Sequence, residues 1–120
     1  MKLTKVQELL NARVHAGHDI LNHEVASACG SDLMSDVLAF VKDHALLLTG
    51  LLNLQVIRTA EMMDITAIVF VRGKTPPDDI INFAKEKDMV IMSTDLPMYL
   101  ACGTLYSNGL GGRKAGNTLG

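Results

Sequence analysis

The sequence predicts an α/β fold: a single three-layer α/β/α domain with a mainly parallel sheet. Three observations predict it. Short apolar runs recur at 45–49, 65–71 and 89–93, each ends in a polar break, and each is followed by a segment with apolar residues at three- and four-residue spacing. Strand-period runs alternating with helix-period segments are the pattern of parallel strands joined by crossover helices. Such sheets collect ligands and partners beyond the carboxyl ends of their strands. Here those ends carry Thr49 and Gly50, then Arg72, Gly73 and Lys74, then Ser93, Thr94 and Asp95.

Taken in order, the first helix is expected over residues 4–10, opened by the capping-box spacing of Thr4 and Gln7. Residues 13–16 read as a short strand, Gly17 to Asp19 as a turn, and 24–29 as a second strand with Val25 and Ala28 apolar. A helix over 32–41 places Leu33, Val37, Leu38 and Val41 in one apolar stripe. After the strand at 45–49, Asn53 is the expected N-cap of a helix over 54–63, with Leu54, Ile57 and Ala60 inward and Arg58 and Glu61 toward water. The strand at 65–71 leads to a start signal made of Thr75 as the capping hydroxyl, Pro76 at the first helical position, and Asp78 and Asp79 against the positive dipole end. Ile80, Ile81, Phe83 and Ala84 supply that helix's buried side. After 89–93, Asp95 is expected to cap a last helix over 96–108, with Pro97 in its first turn and Asn108 and Gly109 as its stop. Residues 1–110 therefore form one domain, and 111–120, almost devoid of apolar side chains, are expected to be a flexible C-terminal tail.

A chain of 120 residues is long enough to bury about two thirds of its unfolded surface around one core. Eleven basic and thirteen acidic side chains give a net charge of −2, with the basic ones scattered. That distribution, with few aromatic side chains to stack on bases, argues against nucleic acid as a partner. The apolar runs fall well short of the ~20 residues a membrane-spanning helix needs. The first residues lead into no signal-like apolar region, so a cytoplasmic location is expected. Cys29 and Cys102 form no Cys-x-x-Cys pair and read as reduced, with Cys102 a small apolar filler among Leu100, Ala101 and Leu105.

The least ordinary stretch holds Ser31, Asp32, Ser35 and Asp36. If a helix opens near Asp32, the two serines and the two aspartates stack in pairs on one face, and like charges so placed repel by roughly 0.2–0.5 kcal/mol unless a cation or donors lie between them. Two readings stay open: Ser31 is an N-cap and both carboxylates favour the helix dipole, or the group lines a pocket or a subunit contact. His15, His18 and His23 match no ordinary zinc spacing, so no metal site is expected. His44 reads as a cation at a helix C-terminus. The glycines form neither a Walker loop nor a dinucleotide fingerprint, and no serine or cysteine sits in a nucleophile elbow, so no catalytic residue and no cofactor are assigned. Arg72 and Lys74, beside backbone amides at the strand ends, offer donors for an anion. A turn that needs glycine torsions accounts for the same residues.

Residues 31–37 and 52–60, the strand at 67–71 with Pro76 and Pro77 beyond it, and residues 90–94 resemble the small DRTGG-domain proteins. These look like relatives of the amino-terminal domain of HPr kinase/phosphorylase, and similar domains accompany phosphotransacetylases and CBS-domain pyrophosphatases. The resemblance spans about residues 3–110 and implies a three-layer α/β domain without catalytic activity, often regulatory and often self-associating. The signature itself is absent: Leu48 to Gly50 and Arg72 with Gly73 are its nearest fragments, and no kinase P-loop is present.

The expected function is that of a non-catalytic regulatory or protein-interaction domain, a homodimer through helix 54–63, helix 96–108 or both, or a module for an unidentified protein partner. The alternative is a sensor for a small phosphate-bearing metabolite or nucleotide. Its binding set would be Ser31, Asp32, Ser35, Asp36, Thr49, Gly50, Arg72, Gly73, Lys74, Ser93 and Thr94. An enzyme built on Asp32, Asp36 and the histidines is a third reading.

Overall fold

The computed structural model describes residues 1–40 and 44–111. In chain order the elements are α1 (Leu3–Leu10), β1 (Arg13–Ala16), a 3₁₀ turn (His18–Ile20), β2 (Ser27–Gly30), α2 (Met34–Phe40), β3 (Ala45–Thr49), α3 (Leu54–Met62), β4 (Ala67–Phe70), α4 (Asp78–Glu86), β5 (Val90–Ser93) and α5 (Met98–Ser107). The strands form one sheet in the order β1-β5-β4-β3-β2. β2, β3, β4 and β5 are mutually parallel, whereas β1 runs antiparallel to β5 at the far edge. The chain thus starts at one edge, crosses to the other at β2, and returns strand by strand. The expected mainly parallel three-layer fold is the one observed.

Strand alternation explains the layers. Leu46 and Leu48, Val69, and Val90 and Met92 face a core that includes Leu3, Val6 and Leu10 of α1 and Ala101 and Leu105 of α5. Leu47, Ile68 and Phe70, and Ile91 point to the opposite core with Val37 of α2, Val56, Ile57 and Ala60 of α3, and Ile80 and Ala84 of α4. With both faces covered, β3, β4 and β5 read as unbroken apolar runs, as parallel strands do.

Several local expectations are corrected. Thr4 makes no capping box; the α1 amides of Leu3 and Thr4 donate to the carbonyls of His23 and Leu21, and Lys2 occupies the N-cap without a side-chain bond. Asn53 does cap α3, accepting from the Val56 amide at 3.2 Å. Neither Thr75 nor Asp95 caps its helix: α4 and α5 begin after Pro77 and Pro97, which occupy the N-cap positions in extended torsions and make no side-chain cap bond. α2 opens at Met34, two residues late, so Met34 and Val37 are buried while Leu33 and Leu38 face solvent. Val41 of the expected stripe, and the expected tail beyond Gly111, lie outside the described residues.

Candidate functional site

Because four strands run parallel, their carboxyl ends align on one rim. Asp32, in the turn between β2 and α2, reaches across to the ends of β3 and β4. Its Oδ1 accepts from the Gly50 amide at 2.6 Å and the Thr49 hydroxyl at 3.1 Å, and its Oδ2 accepts from the Arg72 guanidinium at 2.9 Å. The Gly50 amide first, then the Thr49 hydroxyl and Arg72, hold the Asp32 carboxyl below its ordinary value, against the opposing effect of desolvation. Lys74 closes the opposite side, its ammonium donating to the Gly50 carbonyl at 2.9 Å.

Backbone geometry explains how these side chains meet. Arg72 has φ 65° and Gly73 φ 71°, two successive left-handed residues after β4. Their amides donate to Leu96 and Thr94 carbonyls at 2.8 and 2.9 Å, which ties the turn to the chain beyond β5. A left-handed arginine costs roughly 1–2 kcal/mol of backbone energy. Gly50 completes the fit: a Cβ there would stand 2.7 Å from Arg72 Cζ, so only glycine lets the guanidinium lie against the backbone.

The remaining residues of the expected set are placed differently. Ser31 accepts from the Leu33 amide at 3.0 Å and closes the turn ahead of α2 rather than capping a helix at Asp32. Ser35 and Asp36 lie on the exposed side of α2, and the four-residue stack of Asp32 with Asp36 does not form, since Asp32 precedes the helix. Ser93 and Thr94 are buried, with Ser93 Oγ 2.7 Å from His15 Nε2 and the Thr94 hydroxyl donating to the Leu10 carbonyl at 2.7 Å. The rim group therefore comprises Asp32, Thr49, Gly50, Arg72 and Lys74. Among the described residues no group of three His, Cys, Asp or Glu side chains is placed to hold a metal ion, and no helix is long and apolar enough to cross a membrane.

A second surface lies on the far side of β2. α5 carries no charged residue over ten positions; it buries Ala101 and Leu105 and leaves Tyr99 and Tyr106 86% and 70% exposed. Between α5 and the edge strand runs a shallow apolar groove lined by Ala28, Gly30, Tyr99, Cys102 and Tyr106. Gly30 makes the approach possible, since a Cβ there would meet Cys102 Sγ at 2.6 Å. Burial pushes both cysteine thiols up, with Asp36 adding to the effect at Cys29 and Cys29 at Cys102, so neither is a ready nucleophile. The missing charge along α5 was the signal in the sequence for this face; the His15 to Ser93 contact, 78 residues apart, had none.

No protein-family model matches the chain, and no curated protein does. Among solved structures it is similar to the CBS and DRTGG domains of the regulatory region of Clostridium perfringens pyrophosphatase, complexed with the activator diadenosine tetraphosphate. The TM-score is 0.69 at 13% identity. The fold is DRTGG-like. The match covers 87% of this chain but only 45% of that one.

Proposed function

We propose that this chain is a non-catalytic, cytoplasmic regulatory domain of the DRTGG type that self-associates through α5 and the β2 edge. The kinship with the amino-terminal domain of HPr kinase/phosphorylase belongs to the same proposal. One observation carries it: α5 is apolar on its buried and its exposed sides alike, the character of a helix with a partner on both. A second copy suits this face because the groove lining carries no charge to match in a different partner, and β2 lies at the edge of the sheet, where a copy of itself could pair with it about a two-fold axis. Regulation without catalysis is supported by the regulatory neighbour and by the rim, where the carboxylate is committed to an ion pair and the histidine nearest the strand ends is bonded to Ser93. Light scattering of the wild type and of Tyr106→Glu tests it. The wild type should dimerise with increasing concentration and the variant should not; a wild type that stays monomeric throughout overturns the assembly.

The sensor reading is favoured by a different observation. Backbone amide, hydroxyl and guanidinium donors converge at the rim on one carboxylate, the donor set an oxyanion requires, and the structural neighbour is held with a polyphosphate activator. A nucleotide panel that includes diadenosine tetraphosphate should raise the wild-type melting temperature, and Arg72→Glu with Lys74→Glu should abolish the rise. No shift with any anion counts against this reading.

A further inference from the structure

We propose that Asp32 is an internal occupant of the rim's oxyanion site, and that an external phosphate group binds there by displacing its carboxylate from Gly50, Thr49 and Arg72. This rests on the sensor reading.

Two of the three donors, Thr49 and Gly50, are arranged independently of Asp32, and the third, Arg72, is bonded through its side chain to Asp32. Thr49 and Gly50 are fixed by β3, which pairs on both sides with parallel strands. Arg72 leaves β4 on a left-handed backbone whose amide donates to the Leu96 carbonyl, which starts its side chain beside Gly50. The torsion cost at Arg72 would vanish with a glycine, yet an arginine stands there, and Gly50 lacks the Cβ that would push its guanidinium away. These features shape a cradle for an oxygen anion.

Asp32, by contrast, sits in a turn, outside any helix or strand, and its side chain is 47% exposed. It can leave without dismantling the sheet. Lys74 adds a reserve of positive charge: its ammonium donates to one carbonyl, and among the described residues it pairs with no carboxylate. A single carboxylate leaves that second cation unneutralised, while a phosphate group carries enough charge and acceptor oxygens for both. An intramolecular occupant lowers apparent affinity by the fraction of time it fills the site. Binding would also free the segment that leads into α2, which gives a regulatory domain a movable element next to its ligand.

The test is titration of inorganic phosphate, at constant ionic strength, into four proteins: the wild type, Asp32→Ala, Asp36→Ala and Asp32→Ala with Arg72→Ala. Asp36 is an exposed carboxylate in the first turn of α2 with no bond to the cradle, so its variant removes the same charge without opening the site. Asp32→Ala should bind phosphate about ten-fold or more tightly than both the wild type and Asp36→Ala, and the double variant should lose the gain. Equal gains in Asp32→Ala and Asp36→Ala reduce the effect to net charge and overturn the proposal. So does an Asp32→Ala that folds and binds no better than the wild type. Should Asp32→Ala fail to fold, Asp32→Asn takes its place, since it removes the charge paired with Arg72 and keeps an acceptor for the Gly50 amide. A gain over both the wild type and Asp36→Asn that disappears with Arg72→Ala supports the proposal, and no gain overturns it. If the wild type responds to nucleotides through Arg72 while the Asp32 variant gains nothing, the inference fails and the sensor reading stands; if no protein binds any anion, both fall.

Discussion

The rim and the α5–β2 face lie on one small domain and solve opposite problems. At the rim every principal polar group has a partner inside the chain: Asp32 with three donors, Lys74 with a carbonyl, Ser93 with His15, Thr94 with Leu10. On α5 the apolar surface exceeds what the core uses, and two tyrosines are left in solvent. A surface satisfied from within stabilises the monomer, and one that is not is available for assembly.

The sharpest contrast lies within α5. Leu105 is 1% exposed and Tyr106, its neighbour, 70%. Leu105→Ala should destabilise the monomer by about 2–5 kcal/mol through loss of burial and a residual cavity, measured by chemical denaturation below the association range. Tyr106→Ala should move monomer stability by no more than about 0.5 kcal/mol and yet weaken self-association. If the two variants behaved alike, the division of the helix into core and contact sides would be lost.

At the rim, Asp32→Ala should cost about 1 kcal/mol at neutral pH, a modest figure because the ion pair with Arg72 is half exposed. Since folding depresses its pKa, Asp32's contribution is complete above the ordinary value of 3.8 and is lost as pH falls through the depressed one. The difference between wild type and Asp32→Asn should therefore be constant from pH 7 to 5 and close at still lower pH.

His15 at the β1–β5 edge titrates in another window. Burial first, then Arg13 and His18, push it below 6.5, so the unfolded chain takes up its proton more readily than the folded one. Its contribution is complete above pH 6.5 and is lost as pH falls below that. Denaturation midpoints at pH 8 and pH 5 should differ less in His15→Asn than in the wild type, a smaller effect than the Asp32 substitution. Equal differences in the two proteins would remove His15 from the account.

What could be read from the sequence was local. Asn53 caps α3 as expected because its acceptor and the Val56 amide are three residues apart. The three strands of the regular half were visible because burial on both faces demands unbroken apolar runs. Thr4, Thr75 and Asp95 have the residue type of a cap and do not act as one: α1 satisfies its first amides from distant backbone, which leaves no trace in local sequence, while α4 and α5 start two residues later than expected, after Pro77 and Pro97. The rim was located by strand polarity alone. Which carboxylate would neutralise which cation was not legible, since Asp32 and Arg72 are 40 residues apart and meet only because β3 lies between their strands. β1 is four residues long, too short for its periodicity to reveal that it turns back antiparallel to β5.

Sedimentation equilibrium of three proteins tests the contrast most directly: the wild type, Asp32→Ala and Tyr106→Glu, over a wide concentration range. The wild type and Asp32→Ala should both approach twice the monomer mass of 13.0 kDa, and Tyr106→Glu should remain at that mass. A wild type that stays at the monomer mass throughout, or an assembly lost with Asp32 and kept without Tyr106, would contradict the assignment of stability to the rim and association to α5.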